Sequence, residues 1–400
     1  MFTLFVFLLV LGLLVLSHEF GHFVAARKSG MKVYEFGFGF PPRMIGLQVL
    51  KKKDSLDANP PKKYRWIWGR KRPESMPEIE GYTADTVYSF NWMPLGGFVR
   101  IKGEEGDEKG PDSFLSKPFY QKAIVLVSGV AMNVLLAMVI FSAGFMIGLP
   151  QTLDDIGDVA IVENSQLQIM QVLPDMPASQ AGLRAGDVFE KVGELENPSL
   201  KQMQDYVNEH RDQEINIQIA RGDEKFDKNI KPVVYEDTGR GGIGVGIAEV
   251  GFVKYPWHIA IYKGFTVTFL YLKEIVLAFY FLIRGLIAGT GTAAAISGPV
   301  GIAVMTGQIA KLGLSYLLNF TAVLSLNLAI INILPIPALD GGRLLFLAFG
   351  RIFKRQVPLK FEQLAHTAGF LLLMLLVVVI TVKDVGRFKG IFFDFFGKFF

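Results

Sequence analysis

The chain has 400 residues, 51% of them hydrophobic with 34 Phe, yet 20% charged. Its mean hydropathy of +0.36 is too apolar for an ordinary soluble protein, so a membrane protein with substantial aqueous parts is expected. No Cys is present, which excludes disulfides, thiolate metal ligands and a cysteine nucleophile. The net charge of +4 is small and unevenly spread: residues 27–117 hold 17 Lys+Arg against 12 Asp+Glu, residues 151–256 hold 10 against 19. The two aqueous parts are therefore expected on opposite sides of a membrane, the first in the cytosol by the positive-inside rule.

The run from Met1 to Leu16 has the length of a signal-peptide core, but it lacks a basic leader, and its apolar character continues to Arg27 and Lys28. It reads as a retained membrane helix with its N-terminus outside. Within it stands His18-Glu19-Phe20-Gly21-His22. Four positions apart on a helix, His18 and His22 share a face, so both imidazoles can point at one zinc ion while Glu19 polarises a bound water. At 1.5 Å per residue His18 lies about 14 Å before Arg27, in the cytosolic half of the bilayer. Ionisable groups are costly there and are kept for function.

Val33–Phe40 and Met93–Ile101 alternate aromatics with glycine, as suits a β-hairpin lying against or dipping into the membrane. Between them Lys51–Arg72, rich in Lys, Arg and Trp and broken at Pro60-Pro61, reads as an exposed loop near anionic headgroups rather than a nucleic-acid site. A second span runs from about Ala123 to Leu149. Its Ser128–Asn133 segment is small enough for close helix contact, and Asn133 is either interhelical glue or a polar group near the metal.

From Val159 to Val250 short strands alternate with turns. Val172–Phe189 resembles the PDZ signature: a strand leads through Pro177-Ala178 into a short helix ending at Gly182, then through Gly186-Asp187 into the next strand. Ser199–His210 reads as the second PDZ helix and Ile215–Arg221 as an alternating strand. Such a domain binds an extended peptide at a sheet edge, or serves as a plug without a ligand.

Residues 258–289 are apolar but place Lys263, Lys273, Glu274 and Arg284 within one arc, which suggests an interfacial amphipathic helix; a further membrane helix is the alternative. Ser297–Gly301 reads as a turn with no chemistry of its own. A third span, Tyr316–Leu334, breaks at Asn332-Ile-Leu-Pro335-Ile-Pro337-Ala-Leu-Asp340-Gly-Gly-Arg343, where the prolines remove donors and force unwinding at membrane depth. Asp340 then needs a cation, and two His leave zinc one protein ligand short. A salt bridge to Arg343 or a simple turn is the bland alternative. A last span covers Ala368–Val382, and the Phe-rich tail 388–400 is expected at the interface.

Together, His18-Glu19-x-x-His22, Gly129–Asn133, a PDZ domain between spans two and three, and Asn332-x-x-Pro335-x-Pro337-x-Leu339-Asp340-Gly341 resemble the site-2 protease family, of the bacterial regulator-of-sigma-E type. The chain departs from that pattern in Val130, where a Pro often stands, in its single PDZ domain, and in the unassigned basic insert. The resemblance implies a polytopic α-helical membrane protein of about four transmembrane helices with a membrane-associated β-hairpin region and an inserted PDZ domain. Its expected parts are 1–28, first helix; 29–121, cytosolic hairpin region; 122–150, second helix; 151–252, extracytoplasmic PDZ domain; 253–312, interfacial helix and loop; 313–350, third helix and broken segment; 351–400, fourth helix and tail. It implies Zn2+ on His18, His22 and Asp340, Glu19 as general base, and Asn327, Asn332, Pro335 and Pro337 handling substrate. The expected location is a bacterial cytoplasmic membrane with the active site toward the cytosol, and the expected substrates are transmembrane proteins already trimmed by another protease. A non-catalytic PDZ scaffold and a metal transporter are the rival classes.

Overall fold

The computed structural model describes residues 2–52, 62–69, 79–104, 108–153, 156, 159–222, 224–235, 239–289, 298–354 and 357–387. These divide into two compact units, Met1–Ile140 with Thr266–Ala310 and Phe320–Phe400, and Phe141–Phe265 with Lys311–Asn319.

The first unit begins with α1, Phe2–Lys28, apolar from its start with both bases in its last turn, where they complement the helix dipole. Gly30, at φ +67°, ends it: Gly30 N–H bonds to Arg27 O and Met31 N–H to Ala26 O, the paired closure of a Schellman cap. Three strands follow, β1 (Val33–Lys52), β2 (Lys62–Trp68) and β3 (Tyr82–Ile101), in the order β2-β1-β3. The second half of β1 lies between its neighbours, Leu47 opposite Trp66 on one side and Tyr88 on the other, and its first half meets the end of β3, Phe36 opposite Val99. Pro41 and Pro42 have no N–H to give, and the register shifts there. The basic stretch expected as a loop is strand over Lys62–Trp68. Tyr64, Trp66 and Trp68 point outward while Ile67 is buried, a period of two that the density of charge obscures. The rest of that insert, 53–61 and 70–72, lies outside the described residues. The helix α2, Phe119–Ile147, then carries the chain out of this unit.

The second unit is built on β4 (Leu149–Thr152), β5 (Ile161–Val172), α3 (Pro177–Gln180), β6 (Val188–Val192), β7 (Leu195–Glu196), α4 (Leu200–Glu209), β8 (Ile215–Arg221), β9 (Glu224–Ile230), β10 (Val233–Val234), β11 (Gly241–Gly242) and β12 (Val245–Lys254). Its main sheet runs β4-β12-β5-β6-β8-β9, with β7 beside β6 and β10–β11 as a separate ribbon. Ile215, Ile217 and Ile219 turn inward at a period of two against Phe189, Met203 and Val207, so strand alternation and the apolar stripe of α4 make one core. Ser199 caps α4: its Oγ accepts from Gln202 N–H at 3.3 Å while Gln202 Oε1 accepts from Ser199 N–H at 2.9 Å. The Asp187 carboxylate, only 1% exposed, is satisfied by Arg221 at 2.6 and 2.7 Å and by Arg184 N–H at 2.8 Å.

Among the described residues five more helices follow: α5 (Trp257–Ile287), α6 (Pro299–Leu312), α7 (Leu314–Ile333), α8 (Asp340–Ile352) and α9 (Leu359–Arg387). Among the described residues, α1, α2, α5, α7 and α9 are long and apolar enough to cross a membrane. That is one more than the four expected, because the charges of α5 leave an apolar stretch of sufficient length between them. Pro299 opens α6 where only a turn was expected; the Asp384 carboxylate of α9 accepts from Gly298 and Gly301 N–H at 2.9 and 2.8 Å, supplying from another helix the cap that α6 lacks in its own sequence. The tail 388–400 lies outside the described residues.

Candidate metal centre

His18 and His22 lie one turn apart on α1, 6% and 7% exposed. The His22 Nδ1–H donates to Val125 O of α2 at 2.7 Å, which fixes the tautomer and leaves the Nε2 lone pair facing inward. That Nε2 is 3.1 Å from His18 Nε2, and Asp340 Oδ2 lies 2.9 Å from His18 Nε2 and 3.3 Å from His22 Nε2. Two imidazole lone pairs and a carboxylate, buried and mutually this close, are the donor set a small cation requires. A tetrahedral zinc ion with bonds of about 2.0–2.1 Å holds its donors roughly 3.3 Å apart, so the three atoms fit such an ion with little movement. Among the described residues this is the one cluster of three or more such donors that could hold a metal.

Local sequence explains the convergence. A methyl group on Gly129 of α2 would sit 2.4 Å from His22 Nε2, and one on Gly21 of α1 2.3 Å from Ser128 O, so two glycines let the helices cross closely enough for Val125 to reach His22. After α7, Pro335 and Pro337 interrupt the helix and Ala338 adopts φ +80°. Asp340 then becomes the first residue of α8, and its side chain is about one-fifth exposed. Gly341 and Gly342 pass within 2.2 and 2.3 Å, at the Cβ position, of the Ile333 and Ile336 carbonyls, a turn only glycine can make. Ala338 N–H is held by His366 Nδ1 of α9 at 2.8 Å.

Glu19 stands beside the cluster at the edge of β3: Val99 N–H bonds to its carboxylate, and its Cγ is 3.5 Å from where a Gly97 side chain would begin. Asn332 Nδ2 lies 3.5 Å from His18 Nε2, and Asn133 Nδ2 3.5 Å from His18 Nδ1, while Asn133 Oδ1 is buried with no partner among the described residues. Asn327, one turn and more before Asn332 on the same helix, donates its amide to Val323 O at 2.9 Å. Pro337 faces α9, its carbonyl 2.5 Å from a Cβ built on Gly369. Arg343 pairs with Glu104 rather than with Asp340. Val125, Glu104 and His366 carry no sequence signal that would have singled them out: one contributes a backbone carbonyl, and the others act on residues distant in the chain.

The chain matches peptidase family M50 over residues 6–55 and 77–376. It belongs to that family, as a multi-pass membrane protein. The zinc metalloprotease RasP of Oceanobacillus iheyensis is 30% identical over 97% of this chain and 99% of its own length. The regulator of sigma-W protease RasP of Bacillus subtilis is 27% identical over 96% and 98%. Among solved structures, the PDZ domain of the SdrC-like protein of Listeria monocytogenes is 25% identical, covers 22% of this chain and 92% of its own, and has a TM-score of 0.20.

Proposed function

We propose that this chain is an intramembrane zinc metalloprotease in which His18, His22 and Asp340 hold the metal and Glu19 is the general base, hydrolysing peptide bonds within or near transmembrane segments of other proteins. The observation that carries this is the meeting of both Nε2 atoms and Asp340 Oδ2 beside Glu19. Zinc held by these three side chains would supply Lewis acidity and ready a water for attack near neutral pH. The Glu19 carboxylate takes the proton of the attacking water and passes it to the leaving amine. Asn332 offers its amide hydrogens beside the metal site to the substrate carbonyl. The Asn133 side-chain amide, its oxygen turned toward His18, accepts the Nδ1 hydrogen that remains when Nε2 faces the metal and so orients the ring. Pro335 and Pro337 keep the segment before Asp340 unwound, with Asn327 one turn and more upstream.

A peptide in a lipid-embedded helix is shielded by its own hydrogen bonds, so the substrate must be extended before attack. The end of β3, Gly97–Arg100, lies beside Glu19 and is suited to receive it as an added strand. Membrane placement follows the charge balance, with β1–β3 in the cytosol and residues 151–252 outside as a PDZ domain that admits substrates already trimmed by another protease. Four spans fit better than five, with α5 on the outer surface. Gly307 of α6 lies against Thr3 near the start of α1, and Gly298 against Asp384 near the end of α9, contacts that support a chain lying on the side of the N-terminus soon after α5.

The test is cleavage of a single-span substrate by the purified full chain. Glu19→Gln should lower the rate by at least about 100-fold while zinc content, read by plasma mass spectrometry, is unchanged. Asp340→Ala should lose the metal as well. An anchored scaffold predicts that neither change matters, and a transporter predicts metal flux without cleavage.

A further inference from the structure

At the amino-terminal ends of α2 and α9 the first unit bears a half-open cavity of about 880 Å³, within the range of roughly 300–1,000 Å³ usual for ligand clefts. Its lining has two characters. Phe119 and Leu126 of α2 with Phe346 and Leu347 of α8 make an apolar wall, while Lys109, Lys117, Lys122, Arg343 and Arg351 bring five cations against Glu104 and Glu362. Part of this charge is already matched. Arg343 pairs with Glu104, and Lys122 donates to Leu115 O at 2.8 Å in the field of Glu362. Lys109, Lys117 and Arg351 form no ion pair with a carboxylate among the described residues. Gathering like charges around one space is unfavourable unless an anion joins them, and two helix N-termini add to the same sign.

The position narrows the anion. Helix ends of candidate membrane spans lie at headgroup depth, where basic pockets between helices meet anionic lipid. A free anion would leave the apolar wall wet, whereas an amphiphile uses both halves of the lining. We propose that this cavity binds the phosphodiester headgroup of an anionic phospholipid, its chains lying along Phe119, Phe346 and Leu347. Bound there, the lipid bridges α2, α9 and the helix that begins with Asp340, so occupancy braces the metal-ligand segment without entering the catalytic chemistry.

The experiment uses the full chain, delipidated in neutral detergent, with phosphatidylglycerol or phosphatidylcholine added, and native mass spectrometry to count retained lipid. Phosphatidylglycerol should be retained at least about tenfold more tightly than phosphatidylcholine, and the triple variant Lys109→Gln/Lys117→Gln/Arg351→Gln should remove that preference. Arg351→Gln alone, an exposed change that leaves folding intact, should lower it severalfold. Equal retention of the two lipids, or an undiminished preference in the triple variant, overturns the proposal. So does displacement of phosphatidylglycerol by millimolar inorganic phosphate, which would make the site one for the free anion. Zinc content and cleavage are read on the same samples, so failure here is separable from failure of the peptidase reading.

Discussion

Gly129 shows how a residue with no side chain shapes the site. A methyl group there must displace His22 Nε2 or the His18 ring, at 2.4 and 2.7 Å. Gly129→Ala should therefore lower zinc content and cleavage at least about tenfold, even though Ala in a helix interior is favoured over Gly by about 1 kcal/mol. Plasma mass spectrometry and thermal unfolding check this together: metal lost with the fold retained is expected, and full metal content would mean that α2 simply shifts. His18, Glu19, His22 and Asp340 were legible in the sequence because their chemistry is written in the side chain and its spacing. The Asn327 amide donates to Val323 O, a pairing that sequence does not reveal because it depends on the rotamer the side chain takes on α7. Val125 could not be found at all, because a backbone carbonyl has no residue signature.

At the scale of elements, the sheet of the first unit is tied to α1 through Asp85 of β3. Burial alone would raise this carboxyl, but Arg27 at the end of α1 and Lys51 of β1, the latter at 2.7 Å, outweigh burial and hold it at about 2. A carboxylate depressed in the fold contributes stability that is whole above its unfolded value, about 3.9, and is lost as pH falls through the folded value. Wild type should thus lose about 1–2 kcal/mol between roughly pH 4 and 2, allowing for solvent screening. Asp85→Asn should be less stable at neutral pH and show a flatter acid limb in thermal unfolding; parallel curves would detach α1 from this pair. Elements with simple periods were readable beforehand, such as β8 with its inward isoleucines and α4 with its capping box. The strand Lys62–Trp68 was not, because five of its seven residues are Lys, Arg or Trp and the alternation that decides it lies in which aromatics face outward. Helix α6 was missed for another reason: its cap is Asp384, some 80 residues away.

For the whole molecule, the unsettled element is α5, and its path decides which face every later segment occupies. Its 31 residues, about 46 Å of helix, suffice to cross the hydrocarbon. Yet α6 sits against Thr3 and Asp384, which share the side of the N-terminus if α1 and α9 both cross. A crossing α5 would leave only the ten positions 288–297 to bring the chain back over about 30 Å. An α5 on the outer surface, its charges in the headgroups and its aliphatic side in the acyl layer, needs no such passage. The absence of Cys makes this directly measurable. With an impermeant maleimide applied to spheroplasts, Lys201→Cys in α4 and Ala288→Cys after α5 should label in intact cells, and Lys62→Cys in β2 only after lysis. Labelling of Ala288→Cys only after lysis would put α5 across the membrane. It would then also require the chain to recross before α6.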